Sequence, residues 1–75
     1  DANGFQAGNT VRYVGVNVGK VESVTAGKDG VQVTLKLKKG TEIPKDSKAV
    51  ITTDGLMGEK LVSITPGQDA QHLVT

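Results

Sequence analysis

Cysteine and tryptophan are absent from this 75-residue chain, and histidine occurs once, as His72. The first absence excludes a disulfide framework, and a single imidazole leaves no nitrogen-and-sulfur ligand set for structural zinc. Aromatic side chains are nearly missing too, with Phe5 and Tyr13 standing alone. Proteins that hold single-stranded nucleic acid stack bases on aromatics along a positive groove. Here nine Lys and Arg oppose eight Asp and Glu, for a formal charge of +1. Nucleic acid is therefore not an expected partner. Long apolar runs are also lacking. Hydrophobic residues come in short stretches such as Val50-Ile51 and Leu56-Met57, far below the roughly 20 residues of a spanning helix, and nothing has the form of a signal peptide. The composition is that of a soluble piece.

Size sharpens what these absences mean. A domain this short buries only about 60% of the surface its unfolded chain exposes, and small domains usually lean on a disulfide, a metal or a partner subunit. The first two are excluded, so residues 1–75 are expected to form one domain supported by assembly with other copies.

What is present is β-forming. Val, Ile and Thr supply 22 residues, against five each of Ala and Leu, and branched side chains suit a pleated surface and disfavour helix. From Val31 to Lys38, Val and Leu alternate with Gln, Thr and Lys at the two-residue period of a half-buried strand, entered from the turn Gly27-Lys28-Asp29-Gly30. Val11 to Ala26 reads as two strands or one bent strand. Its apolar parity slips between Tyr13 and Val14 and again around Val21, which calls for bends or bulges, and Gly15 and Gly19 are placed to make them. The spacing of Val18, Val21 and Val24 also fits a helical stripe, but the glycines and branched residues around it favour strand. Pro44 drives Ile43 toward an extended conformation. Lys48 to Thr53 and Lys60 to Thr65 read as an antiparallel pair, and His72 to Thr75 as a last short strand. The fold class is all-β: a small closed or nearly closed barrel of six to seven short strands.

Little in the chain supports catalysis. His72 lies among Gln68, Asp69 and Gln71 with no nucleophile placed beside it. Asp29, Asp46 and Asp54 stand beside turn glycines or in a proline-containing connection, where Asp bonds its own backbone. Gly15-x-x-x-Gly19 lacks the third glycine and the following helix of a phosphate loop. No cofactor or metal is expected, and the chain reads as a non-enzyme. Lys36, Lys38 and Lys39 gather along one strand, where lysine protects an edge from aggregation. Gly55-Leu56-Met57-Gly58 resists such bland explanations, because it puts two large apolar side chains at a hairpin tip that is normally polar. Two readings stand at that point: the pair folds back as a plug on the barrel end, or it faces an apolar ligand or partner, a role that suits flexible, polarizable methionine.

Taken together, the runs Val11 to Val21, Val31 to Leu35, Ile43 to Ser47, Thr53 to Lys60 and Ile64 to Gly67 resemble the mammalian cell entry (MCE) domain, of the MlaD-like lipid-transport type. The resemblance extends from Gly4 to Gly67 with the motifs in order. It implies a β-barrel that forms homohexameric rings with a central channel and works with an ABC transporter to move phospholipid in the bacterial cell envelope, on the periplasmic side. It places the pore loop on Gly55 to Gly58, with Leu56 and Met57 as the apolar lining and Gly55 and Gly58 as hinges. Leu-Leu is the more usual pair, so Met57 is a conservative departure. The family's first strand and membrane anchor precede the position of Gly4, so the resemblance further implies a domain excised from a longer, anchored chain, short of its first barrel strand.

Overall fold

A computed structural model describes residues 5–56, 58–68 and 72–74, the last three by backbone alone. The described residues contain seven strands and no helix: β1 (Thr10–Tyr13), β2 (Val16–Gly27), β3 (Gly30–Leu37), β4 (Ile43–Pro44), β5 (Lys48–Thr53), β6 (Lys60–Thr65) and β7 (His72–Val74). Five of them form one sheet in the order β3-β2-β1-β6-β5, and β4 pairs with β7 in a separate ribbon. All neighbours are antiparallel except β1 and β6, which run parallel with Val11 opposite Val62.

The parity slips of the first half resolve into one turn and two bulges. Gly15 makes a turn: with Val14 it forms the two-residue loop of the β1–β2 hairpin, at φ of 48° for Val14 and 80° for Gly15, the left-handed pair whose twist suits such a loop. Gly19 lies at the first bulge, where the register steps from Val11–Gly19 to Arg12–Asn17 and leaves Val18 as the extra residue of β2. At the second bulge Glu22 is the extra residue, between Val21–Leu35 and Ser23–Thr34. These steps reset the pleat, so Val18, Val21 and Val24 all turn inward at a spacing of three without any helix. Gly19 is required for a second reason. A Cβ there would overlap the Lys36 carbonyl and lie 2.9 Å from the Leu37 Cα, so only glycine allows β3 so close.

Burial follows the strand order. β1 is the middle strand of the sheet, and its Val11 is fully buried at 0% exposure. Around it pack Phe5, Val18, Val21, Val62 and Ile64 from the curled face and Ile43 from β4. Val33, Leu35 and Leu37 of β3 are only half-buried, because the sheet curls without closing. Its two edges, β3 and β5, face one another across an apolar cleft of about 360 Å3 lined by Val33, Leu35, Ile43, Ala49 and Ile64. The architecture is all-β, as the sequence predicts, and its curled five-stranded sheet forms a partial barrel, consistent with the missing strand that the family resemblance implies.

One end of that arrangement is tied by side chains. At the β4–β5 corner, Asp46 Oδ2 accepts a hydrogen bond from the Gln68 N–H at 2.9 Å, and Ser47 Oγ accepts one from the Gly67 N–H at 3.1 Å. The motifs around Ile43-Pro44 and Pro66-Gly67, distant in sequence, therefore meet.

Candidate functional site

The β5–β6 connection is built around Asp54. Its backbone N–H donates to the Glu59 carbonyl at 2.8 Å, its own carbonyl accepts from the Gly58 N–H at 2.8 Å, and its Oδ1 accepts from the Leu56 N–H at 2.9 Å. The last bond is the side-chain turn that Asp favours, reaching the backbone two residues on. One residue thus closes the loop at its base and fixes its turn from within.

Asp54 is itself anchored. The parallel pairing of β1 with β6 brings β1 beside the strand that leaves the loop, and Arg12 Nη2 approaches Asp54 Oδ2 to 3.7 Å with both side chains about a third exposed. Arg12 Nε also donates to Asn17 Oδ1 on β2 at 3.4 Å. At this exposure and distance the ion pair adds little to stability, about 0.5 kcal/mol or less, but its direction holds the loop base against the sheet.

At the tip, Leu56 is 97% exposed. It does not fold back as a plug on the barrel end, which removes that reading for Leu56; Met57 lies outside the described residues. The two flanking glycines differ. Gly58 has φ of +72°, in the left-handed region that favours glycine, whereas Gly55 has no such requirement; a Cβ at either position would meet open space. Asp54 and Arg12 carry the loop geometry and were not singled out from the sequence as site residues. A signal for Arg12 exists, since it is the one arginine among nine basic residues, and the guanidinium fork is the cation suited to a carboxylate. Nothing in the sequence announces that its partner is Asp54, because the parallel β1–β6 pairing joins strands far apart in the chain.

The other polar candidates stay apart from this loop. Asp29 lies in the β2–β3 turn, and His72 belongs to the β4–β7 ribbon, its backbone paired with Pro44. Among the described residues no group of three or more His, Cys, Asp or Glu is placed to hold a metal ion. No helix among them is long and apolar enough to cross a membrane.

Compared with known proteins, residues 1–67 match the family model described as MlaD protein. Among curated proteins none matches the chain.

Proposed function

The chain belongs to the MlaD family of MCE-type lipid-transport domains, and from that membership we propose that it is the channel module of a phospholipid transport system of the bacterial cell envelope. In this reading identical copies assemble as a homohexameric ring on the periplasmic side of the membrane, next to the permease and ATPase of an ABC transporter. Each copy directs Leu56 and Met57 toward the ring axis, where they contact acyl chains. The domain performs no covalent chemistry.

The observation that carries this reading is Leu56, left 97% exposed on a loop that Asp54 holds in shape. An isolated domain gains nothing from an apolar side chain held out in water. Burying each acyl methylene against such a lining contributes about 0.8 kcal/mol, so a ring that brings two such side chains from every copy to one axis holds a lipid tail without charge.

Photocrosslinking probes test the assignment. Probes at positions 56 and 57 of the full-length protein in its transport complex are expected to capture phospholipid, and a probe at Lys36 is not. Capture at Lys36 with none at the loop would overturn the pore assignment. Light scattering addresses the ring separately: a strict monomer at high concentration counts against assembly by the domain alone.

A further inference from the structure

We propose a second site, for a phosphate-type oxyanion, on the solvent face of β1, β2 and β3, where Lys20, Lys36 and Lys38 surround a depression with Thr10 and Asn17. The depression measures about 410 Å3, within the roughly 300–1,000 Å3 common for small-ligand sites.

The placement of the lysines is the first observation. Lys20 and Lys36 are direct cross-strand partners in the β2–β3 register, a position in which like charges destabilise a sheet. Lys38 follows on the same side of the chain, its N–H donating to the Val18 carbonyl at 2.8 Å. Edge protection explains part of this cluster. β3 is an edge strand, and lysines such as Lys36 and Lys38 discourage its pairing with another chain. Lys20 has no such role, because β2 is paired on both sides, by β1 and by β3. A third cation on an interior strand, directly opposite one of the edge lysines, is a cost that edge protection leaves without purpose.

Charge balance is the second observation. Among the described residues no carboxylate pairs with Lys20, Lys36 or Lys38, and none lines the depression. Glu22 falls in the β2 bulge and Glu59 lines a neighbouring depression with Lys20 and Lys60. Three cations thus share one concavity on a chain whose formal charge is only +1. Thr10 and Asn17, which line the same depression, carry a hydroxyl and a carboxamide whose oxygen accepts from Arg12 and whose NH2 is a neutral donor. Ammonium groups together with hydroxyl and amide donors on one depression match the several acceptor oxygens of a phosphate group. The glycine at position 19, which lets β3 approach closely, is part of the same lining.

The site shares no residue with the Asp54–Glu59 loop, so it stands or falls independently of the channel reading. The phosphate group has two sources, free phosphate or a lipid headgroup, and the test separates them. In one arm the 15N-labelled protein is titrated with inorganic phosphate against chloride of matched ionic strength. In the other it is sedimented with phosphatidylcholine vesicles with or without phosphatidylglycerol. Saturable phosphate-specific amide shifts at Thr10, Asn17, Lys20 and Lys36 identify free phosphate. Binding only to vesicles that contain phosphatidylglycerol identifies the headgroup. In either case Lys20→Gln is expected to weaken binding about fivefold, and Lys20→Gln/Lys36→Gln further, while Lys28→Gln in the β2–β3 turn leaves it unchanged. The spectrum of each variant verifies its fold, and Lys20→Arg, which keeps the charge, serves if Lys20→Gln does not fold. Shifts that chloride reproduces, combined with no preference for the anionic vesicles, overturn the proposal. So does binding that is indifferent to Lys20.

Discussion

Two aspartates organise two corners of this domain, and they act at different range. Asp54 binds inside its own loop, through the Leu56 N–H two residues on and the Gly58 and Glu59 backbone. Asp46 reaches across the fold, accepting from the Gln68 N–H 22 residues away while Gly67 packs against it. The strands on either side of Asp54 are already paired as the β5–β6 hairpin, so its bonds shape a segment that stays closed without them. Asp46 stands at the other end of the same ladder, two residues before the Lys48–Thr65 pair, where with Ser47 it joins the β4–β5 corner to the chain that leaves β6. The difference teaches that the bond at Asp46 ties two chain segments where their ladder ends, whereas those at Asp54 set the shape of one loop.

The largest effect is expected where that long-range corner is tightest. A methyl group on Gly67 would overlap the Asp46 carboxylate and approach its backbone carbonyl carbon to 2.7 Å. Side-chain rotation alone does not relieve a backbone contact, so Gly67→Ala is expected to cost about 2 kcal/mol. That corresponds to a fall of roughly 8–16 °C in Tm for a domain of this size. A thermal melt within about 2 °C of the parent would show that the corner yields freely.

Smaller changes divide the two aspartates directly. Asp46→Ala removes the acceptor of the Gln68 N–H and is expected to cost about 1–2 kcal/mol, whereas Asp54→Ala is expected to stay within about 1 kcal/mol. Amide exchange supplies the second readout: Asp54→Ala speeds exchange at Leu56 and Gly58 and leaves Gln68 protected, and Asp46→Ala does the reverse. Equal melting losses for the two variants would erase the distinction between local and long-range corners.

How much of this was legible in the sequence follows the same division by range. Strand boundaries at Lys48–Thr53 and Lys60–Thr65 emerge in the structure as predicted, because alternation and turn residues are local signals. The reading of Asp54 as a turn residue is equally local, and its bond to Leu56 has that form. For Asp46 the same reading is incomplete, because its partner is supplied by tertiary pairing. The parallel β1–β6 contact, and with it the Arg12–Asp54 pair, is invisible to periodicity for the same reason. The parity slips announced irregularity near Gly15 and Gly19, but hydrophobic pattern alone does not distinguish a tight turn from a bulge. The exposed Leu56 was marked by its type in a loop, although a plug and a presented side chain have the same sequence.

The smallest predicted effect concerns the two glycines of the loop, which look equivalent in Gly55-Leu56-Met57-Gly58. Gly58 occupies the left-handed region at φ +72°, where a Cβ meets the local backbone at a cost of about 1 kcal/mol. Gly55 has open space around it and no such φ, so Gly55→Ala is expected to change stability by less than about 0.5 kcal/mol. If loop shape governs lipid contact, Gly58→Ala lowers crosslinking at position 56 and Gly55→Ala leaves it unchanged. Lost crosslinking in Gly55→Ala at unchanged Tm would mean that Gly55 serves by moving, a hinge that a single conformation of the loop does not reveal. The loop would then work through flexibility at its first glycine, with the bonds of Asp54 acting as a latch.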